Sequence, residues 1–426
     1  MSPELPAQVL EKAETDLSQL RHPQHGWMAG LPRYITLYPC DVAISFKLIA
    51  ACPPKLIPPW IIESTDKAVE MMVKYQGREF NPDRDEEKGK IFHELQNGHI
   101  PPTGFHTEQL KIRRETEPDP YYGAADAESL FVELVADLVR VKEARSEGEG
   151  ERYMRNLWPN VYAAYIHQTR LADSSGWGLP DSTPKNFRGL FFQSRHDSDF
   201  SYLTEEHDTP RPPHIFLMNS CHYVAASKDV AWMAEVMGKE KIAARAWERY
   251  QRGKEVLHRL FWMRDEGYYS PLIDGEERQV RIITDDAIEG LWLGLFEDRF
   301  ARQVMKRVSE EDMSTDWGIR SRSLESSQFA MNGPKAYWNG NIWPQDTAKA
   351  AFGGEYYRAY NFANQQDQRL FNLALARGSE ETAPVSEDGR LLVYKEGWKE
   401  ASCNPQLWSA SALFARSTLR LFPQAA

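Results

Sequence analysis

The chain has 426 residues, a formal net charge of −11 and a pI near 5.6, with 42% hydrophobic and 27% charged residues. This composition is that of a globular protein, and the acidic balance excludes nucleic acid and anionic membranes as expected partners, because no basic surplus neutralises phosphates. The sequence shows neither a secretory signal pattern nor an apolar run of membrane-spanning length. Its four widely spaced cysteines suit a reducing compartment, so a cytoplasmic protein is expected.

Helical periodicity dominates the chain. Apolar residues recur at three- and four-residue spacing in segments 124–145, 153–172, 224–237, 239–260 and 358–376. Strand-like alternation is sparse, and 146–151 is typical of an exposed turn between two helices. No linker interrupts the pattern, which predicts one all-α domain over residues 1–426. A toroid of helix pairs is favoured over an α-solenoid, because no fixed repeat period is visible.

The loops between these helices concentrate aromatic and acidic residues. They cover 30–41, 119–126, 176–199, 265–275, 317–346 and 383–408. In a toroid such loops gather at one end, so they predict a concave polar pocket there. His93 and Glu94 are predicted on an amphipathic helix, in a structural or supporting role.

Residues 336–346, Ala-Tyr-Trp-Asn-Gly-Asn-Ile-Trp-Pro-Gln-Asp, form the most informative loop. It combines three aromatic residues, three amides and a carboxylate. Aromatic faces stack on pyranose rings while amides and carboxylates bond hydroxyls, so the loop predicts a sugar subsite. The alternatives are an aromatic loop packed under a helix and, for Gln345 and Asp346, capping of the next helix.

Hydrolysis of a glycosidic bond usually requires two carboxyl groups. Asp181 follows Trp177 in a Gly/Pro-containing loop, where a neighbouring ring could raise its pKa; a helix N-cap is the alternative role. Glu387 lies in a Ser-Glu-Asp-Gly segment, for which a solvated turn is the alternative. No H-E-x-x-H or comparable spacing indicates a metal, and no cofactor motif is present.

Five blocks together resemble the bacterial and archaeal amylo-α-1,6-glucosidase (glycogen-debranching) type of glycoside hydrolase and, more distantly, the mannosylglycerate and glucosylglycerate hydrolases. The blocks are 30–41, 84–94 with 120–126, 176–184, 317–320 with 337–346, and 383–387 with 404–408. The resemblance implies an (α/α)6 barrel that hydrolyses a terminal α-glycoside, with an α-glucoside favoured, by inversion and without a cofactor.

The resemblance also implies that Asp181 is the general acid and Glu387 the general base. Other carboxyl groups compete for these roles: Asp197 and Asp199 for the acid, and Glu381 and Glu400 for the base. The implied substrate-binding residues are Tyr34, Tyr38, Asp41, Tyr121, Tyr122, Asp126, Trp177, Arg195, Tyr337, Trp338, Asn341, Trp343, Gln406 and Trp408. Inversion requires the two carboxyls to lie roughly 6.5–9.5 Å apart.

Two alternative functions stay open. The absence of an accessory β-domain favours a small α-glycoside such as mannosylglycerate or glucosylglycerate, whose carboxylate could be bound by Arg33, Arg195 or Arg320. A sugar epimerase or non-catalytic sugar-binding barrel is the other alternative, with histidines as acid and base; the candidates are His196, His207, His214 and His222. An oligomer is possible, and the sequence does not determine the oligomeric state.

Overall fold

The computed structural model describes residues 4–96, 119–185, 189–198, 201–204, 206–325, 337–392 and 402–423. Within these ranges there are twelve α-helices: α1 (Glu4–Gln19), α2 (Pro39–Ala50), α3 (Pro59–Lys74), α4 (Ala127–Arg145), α5 (Glu149–Ser174), α6 (Leu217–Val236), α7 (Glu240–Phe261), α8 (Ala287–Trp292), α9 (Asp298–Arg307), α10 (Pro344–Tyr356), α11 (Tyr360–Arg377) and α12 (Leu407–Leu421). Short 3-10 helices cover Pro54–Leu56 and Pro82–Arg84. No helix of the described ranges is long and apolar enough to cross a membrane.

The even-numbered helices form a closed inner ring. Each packs against the next, in the order α2, α4, α6, α8, α10 and α12, and α12 packs back onto α2. The odd-numbered helices lie outside this ring, and α1 closes it by packing against α12. The protein is therefore an (α/α)6 barrel, which confirms the predicted fold class.

Burial explains why the two rings differ in sequence pattern. On outer helix α7 the buried residues Ala243, Ala246, Tyr250, Gly253 and Leu257 follow helical spacing and form one face. Inner helix α4 is buried almost all round, because it contacts both the outer ring and the barrel interior. This inner helix therefore lacks a solvent-exposed polar face.

The five predicted helical segments are confirmed as α4, α5, α6, α7 and α11. Helix α6 begins at Leu217 instead of at residue 224, because residues 217–224 are all buried and carry no amphipathic signal. The predicted turn between α4 and α5 is also present, with Gly148 in the left-handed region at φ 74°.

The strands are short and form five two-stranded antiparallel sheets in the described loops. They are β1 (Arg21–His22) with β2 (Gly26–Trp27), β3 (Glu94–Gln96) with β4 (Asp119–Tyr121), β5 (Ile215–Phe216) with β8 (Leu272–Ile273), β6 (Trp262–Met263) with β7 (Tyr268–Tyr269), and β9 (Ser314–Thr315) with β10 (Gly318–Ile319). The prediction of a helix at His93 and Glu94 is wrong: the His93 N–H donates to the Tyr121 carbonyl (2.6 Å), and Glu94 pairs with Tyr121.

The inner helices begin at the same end of the barrel, because each outer helix returns the chain between two of them. Buried polar residues lie at or near each of these beginnings: Asp41, Asp126, Asn219, Asp286, Asp346 and Gln406. The positive dipole end of each helix favours acidic and acceptor groups there, and the Gln406 side chain accepts from the Ser409 N–H at the beginning of α12. This end of the barrel is therefore its polar mouth.

Candidate active site

Four carboxyl groups from different segments share the barrel mouth. Asp41 lies in the first turn of α2, Asp126 precedes α4, Asp197 lies between α5 and α6, and Glu381 lies between α11 and α12. Their charges act on one another: Asp197 raises the pKa of Asp41, Asp126 raises that of Asp197, and Asp41 raises that of Glu381. The four therefore form one electrostatic cluster, called here the carboxyl cluster.

Burial makes the charged form of each member costly. It raises the pKa of Asp126 to about 6, those of Asp41 and Asp197 to about 7, and that of Glu381 to about 8. At neutral pH the carboxyl cluster therefore retains protons, which is the condition that general acid catalysis requires.

Asp41 is held by donors from two elements. The Gln406 side-chain amide donates to its Oδ1 (2.8 Å), and the Cys40 thiol lies 3.4 Å from its Oδ2. The other end of the Gln406 amide accepts from the Ser409 N–H (3.2 Å) and caps α12. One glutamine thus couples the beginning of α12 to Asp41.

Glu381 is fixed by two donors although it is buried. The Tyr337 hydroxyl donates to its Oε1, and the Cys403 backbone N–H donates to its Oε2 (3.0 Å). Burial raises the pKa of Tyr337, and the charges of Glu381 and Asp197 raise it further. Tyr337 therefore lies within reach of both carboxyls.

Asp197 is partly exposed, unlike its neighbour His196. Burial raises the pKa of Asp197, whereas the indole N–H of Trp338 and the charge of His196 act in the opposite direction. A partly exposed carboxyl with a raised pKa can exchange protons with a bound molecule.

Aromatic residues line the adjacent side of the mouth. Tyr34 and Tyr38 meet edge to face (5.7 Å between ring centroids), and Tyr38 meets His93 in the same way (5.5 Å). The Tyr38 hydroxyl donates to Glu94 Oε2 (2.7 Å). Both tyrosines are partly exposed, so they offer rings and hydroxyls to a sugar.

The predicted acid and base are not among the main groups that shift the pKa values of this cluster. Asp181 is partly exposed; burial raises its pKa and the charge of Lys185 lowers it. Glu387 is exposed on a turn, and its charge acts on Arg320 instead of on the carboxyl cluster. The competing candidates Asp197 and Glu381 are the ones that the fold brings together. Asp199 and Glu400 lie outside the described residues.

Trp338 and Trp343 are buried, which differs from the predicted stacking wall. Their rings stack on each other at 3.5 Å and 3°, and His196 lies 4.2 Å from the Trp338 ring. Two rings this close occupy opposite faces of Trp338, so neither face can stack on a sugar. Trp408 packs edge-on against Trp343 (5.7 Å). Of the aromatic residues in the predicted loop, Tyr337 is the one that reaches solvent.

Several other predicted sugar ligands have structural partners. Arg195 is buried and contacts Asp346 (2.7 Å) and Glu289 (2.9 Å), and its assignment to substrate binding stays a prediction. The Tyr122 hydroxyl donates to the Tyr75 carbonyl (2.6 Å).

The remaining predicted ligands lie around these residues. The Tyr121 hydroxyl accepts from the Leu190 N–H (2.8 Å). Asn341 is buried, and its backbone carbonyl accepts from the Ser321 backbone N–H (2.9 Å). Trp177 is partly buried against the main core. Their predicted contacts with sugar stay predictions.

One set of histidine and carboxylate groups in the described ranges converges as metal ligands would: His196, Asp285 and Asp286, within 4.8 Å of one another. The two imidazole nitrogens face different carboxylates, Nε2 at 3.2 Å from Asp285 and Nδ1 at 3.3 Å from Asp286. Ligands of a metal point to a common centre, whereas here the ring lies between the acids. The arrangement is an ion triad.

The histidines of the epimerase hypothesis each have different surroundings. His196 belongs to the ion triad, His222 contacts Glu133 (2.7 Å), and His214 faces the Pro210 carbonyl (3.0 Å). His207 is exposed. These four residues therefore do not form an acid–base pair at the mouth.

A helical barrel with carboxyls and tyrosines at its mouth is an arrangement typical of glycoside hydrolases. The family model of the mannosylglycerate hydrolase MGH1-like glycoside hydrolase domain matches residues 70–381. The chain belongs to this family, which confirms the more distant of the two predicted resemblances.

Solved structures share the fold at low sequence identity. The GH63 mannosylglycerate hydrolase from Thermus thermophilus, in complex with Tris, superposes with a TM-score of 0.68 at 16% identity, over 95% of this chain and 99% of that one. A rhamnosidase from Klebsiella oxytoca with rhamnose bound gives a TM-score of 0.61 at 12% identity, over 99% of this chain and 65% of that one. A comparison with curated protein sequences gives no match.

Proposed function

We propose that the protein is an inverting hydrolase of a terminal α-glycosidic bond, with Asp197 as general acid and Glu381 as general base. These residues take the roles first predicted for Asp181 and Glu387. The observation that carries the proposal is that the charges of both Asp197 and Glu381 raise the pKa of Tyr337, whose hydroxyl donates to Glu381, while Asp41 lies near enough to both carboxyls to couple to them. Two carboxyls at one barrel mouth supply the two groups that glycoside hydrolysis requires.

In this mechanism, protonated Asp197 gives its proton to the leaving oxygen as the bond to the anomeric carbon breaks. At neutral pH the pair holds a shared proton, and hydrolysis proceeds from the form in which Asp197 carries it. Ionised Glu381 then takes a proton from the water that attacks the opposite face of that carbon. Tyr337 and the Cys403 N–H stabilise the ionised base, since both donate to its carboxylate. The product is a free sugar of inverted configuration, and the pair ends with its proton transferred from Asp197 to Glu381.

Asp41, Tyr34 and Tyr38 are the proposed contacts for the hydroxyls and apolar face of the sugar. Asp41 is preorganised by Gln406 and Cys40, so substrate binding does not have to order its side chain. The α configuration of the scissile bond follows from the sequence resemblance.

The aglycone proposed here is small and carries a carboxylate, such as glycerate. Of the three candidate arginines, Arg195 and Arg320 are buried in contacts with protein groups, including the Ser386 carbonyl for Arg320 (2.6 Å). Arg33 is partly exposed, and its charge acts on Tyr34 and Glu381. A guanidinium at this position would bind a carboxylate beside the reacting bond.

The test is hydrolysis of mannosylglycerate, glucosylglycerate and neutral α-glucobioses by the purified protein, followed by proton NMR of the first-formed sugar. The expected result is release of the β anomer and faster turnover of a glycerate conjugate. An initial α anomer would contradict inversion. A sugar isomer formed without release of aglycone would instead indicate an epimerase.

A further inference from the structure

The residue next to the proposed acid is enclosed by protein groups. His196 is fully buried, and its two ring nitrogens face Asp285 and Asp286 in the ion triad. Asp286 is itself held by the Tyr202 hydroxyl (3.0 Å) and the Thr284 hydroxyl (2.6 Å). The acidic partners of His196 are therefore fixed by the loop before α8.

The His196 ring also forms the end of an aromatic stack. It lies 4.2 Å from the Trp338 ring, and the opposite face of Trp338 lies on Trp343 at 3.5 Å. Trp343 immediately precedes α10, so the stack joins the loop before α6 to the beginning of α10. The Trp338 indole also lies near enough to Asp197 to lower the pKa of that carboxyl, and its buried N–H makes no hydrogen bond to another described residue.

We propose that His196 is a positioning residue of the catalytic centre, a buried imidazolium clamped by Asp285 and Asp286 that holds Trp338 and thereby orients Asp197. The inference rests on the proposed function of Asp197. His196 itself touches no substrate. It acts through the adjacent backbone, the indole and its positive charge, and together with Trp338 it forms what we call the histidine clamp.

The electrostatics of the triad agree with this geometry. Burial lowers the pKa of His196, but the charges of Asp286 and Asp285 outweigh it and raise the pKa to about 9. The ring is therefore charged at neutral pH, and its charge lowers the pKa of Asp197. A cation near a carboxyl favours the ionised form, so the histidine clamp keeps the acid able to release its proton.

Other charged groups face Asp197 from each neighbouring element and set the background for a pH profile. They are Asp126 before α4, Cys40 and Asp41 in α2, Tyr121 in β4, and Tyr337 beside Trp338. The triad is faced in turn by Arg195 and Asp346, which act on Asp285. None of these groups changes in the variants below.

The test is the pH dependence of kcat/KM for His196→Gln, with His214→Gln as the matched control. His214 is a buried histidine of the same connection between α5 and α6, packed on Phe192 at 5.4 Å, but burial lowers its pKa and it is not in the clamp. Because a general acid must be protonated, the alkaline limb of kcat/KM reports the proton of the Asp197–Glu381 pair. His196→Gln should raise the pKa of Asp197 and so move the bell-shaped profile of kcat/KM to higher pH, and it should lower kcat about 10- to 100-fold.

The control should leave both limbs in place. Trp338→Phe keeps a ring in the stack but removes the indole N–H, so it should shift the pH profile in the same direction. It replaces His196→Gln as the test if that variant does not fold. A folded His196→Gln or Trp338→Phe enzyme with unchanged limbs would overturn the clamp.

A readout without catalysis separates this inference from the proposed function. Nitrogen NMR of histidine-labelled wild-type protein should show His196 doubly protonated at pH 8, and a neutral ring there would overturn the clamp. If the wild-type protein hydrolyses no α-glycoside but His196 is doubly protonated, the assigned activity and the catalytic role of the clamp are both wrong. The clamp would then be a structural feature alone.

Discussion

The Gln406 side-chain amide donates to Asp41 Oδ1 over 2.8 Å, and this bond joins the beginnings of α12 and α2. The two residues lie 365 positions apart in the chain. Closure of the helical ring thus places them together, and the carboxyl cluster depends on that closure.

Gln406→Met should weaken substrate binding, because it removes a donor that favours ionised, oriented Asp41. A hydrogen bond to a charged group contributes about 1.5–3 kcal/mol, so KM should rise about 10- to 100-fold. Gln279→Met is the matched control: its amide donates to the Leu260 carbonyl (2.9 Å), outside the carboxyl cluster. Steady-state kinetics of both variants measure the effect, and equal KM values would contradict the role given to Gln406.

Asp197→Asn and Glu381→Gln should each lower turnover of an unactivated α-glycoside by about 10²- to 10⁴-fold, the usual contribution of an acid or base. Asp181→Asn and Glu387→Gln are the matched pair and should stay near wild-type turnover, since their side chains lie outside the carboxyl cluster. Large losses in the second pair with none in the first would restore the assignment made from sequence.

An α-glycosyl fluoride distinguishes the acid from the base. Fluoride leaves without protonation, so Asp197→Asn should recover most of its activity on this substrate while Glu381→Gln does not. The measurement is fluoride release by each folded variant. Recovery by Glu381→Gln alone would exchange the two roles.

The helices were predictable from sequence where one face is exposed, as in α7, because burial then alternates with helical period. The beginning of α6 was not predictable from sequence. All residues in its first two turns are buried, so the alternation of polar and apolar residues does not show which face points to the core. The predicted pocket loops contain Asp41, Asp126 and Asp197 of the carboxyl cluster, whereas Glu381, a competing candidate for the base, lies just before the predicted loop at 383–408.

The choice among neighbouring carboxyls was not predictable in the same way. Glu381 and Glu387 lie six positions apart in one loop, and only the contact with Tyr337 and the exposed turn distinguish them. The burial of Trp338 was equally hidden, because its stacking partner His196 lies far away in the sequence. The residue types in a sequence motif do not show whether another side chain already packs on the face of an aromatic ring.

Arg33→Met should raise KM for a glycerate conjugate and leave KM for a neutral α-glucobiose nearly unchanged. The guanidinium is the proposed partner of the aglycone carboxylate, and a single charged contact corresponds to about a 10- to 100-fold effect. Arg21→Met is a suitable control, because Arg21 donates to Ser64 (3.3 Å) in another segment. An equal rise in KM for both substrates would place Arg33 in sugar binding or in folding instead.

Beneath the mouth, His222 connects α6 to Glu133 of α4 at 2.7 Å and to Glu289 of α8 at 3.5 Å. Burial lowers the pKa of His222, but the charge of Glu133 outweighs it and raises the pKa to about 9. An unfolded histidine titrates near 6.5. The stability from this pair is therefore fully present below pH 6.5 and is lost as the pH rises through 9.

Glu133→Gln should destabilise the protein by about 3–5 kcal/mol at pH 6.5, because it leaves a buried cation with one partner fewer. The raised pKa values of the carboxyl cluster also reduce stability as pH increases, so the comparison uses the difference between variant and wild type. Glu133 also contacts Lys47 (3.0 Å), but Lys47 stays charged because its pKa is raised, so the pH-dependent part of the difference reports His222. This difference should shrink between pH 6.5 and 9 in urea unfolding curves. Glu151→Gln removes an exposed contact with Arg155 (2.6 Å) and should cost no more than about 1 kcal/mol at either pH. A constant difference for Glu133→Gln across this range would show that His222 is neutral in the folded protein.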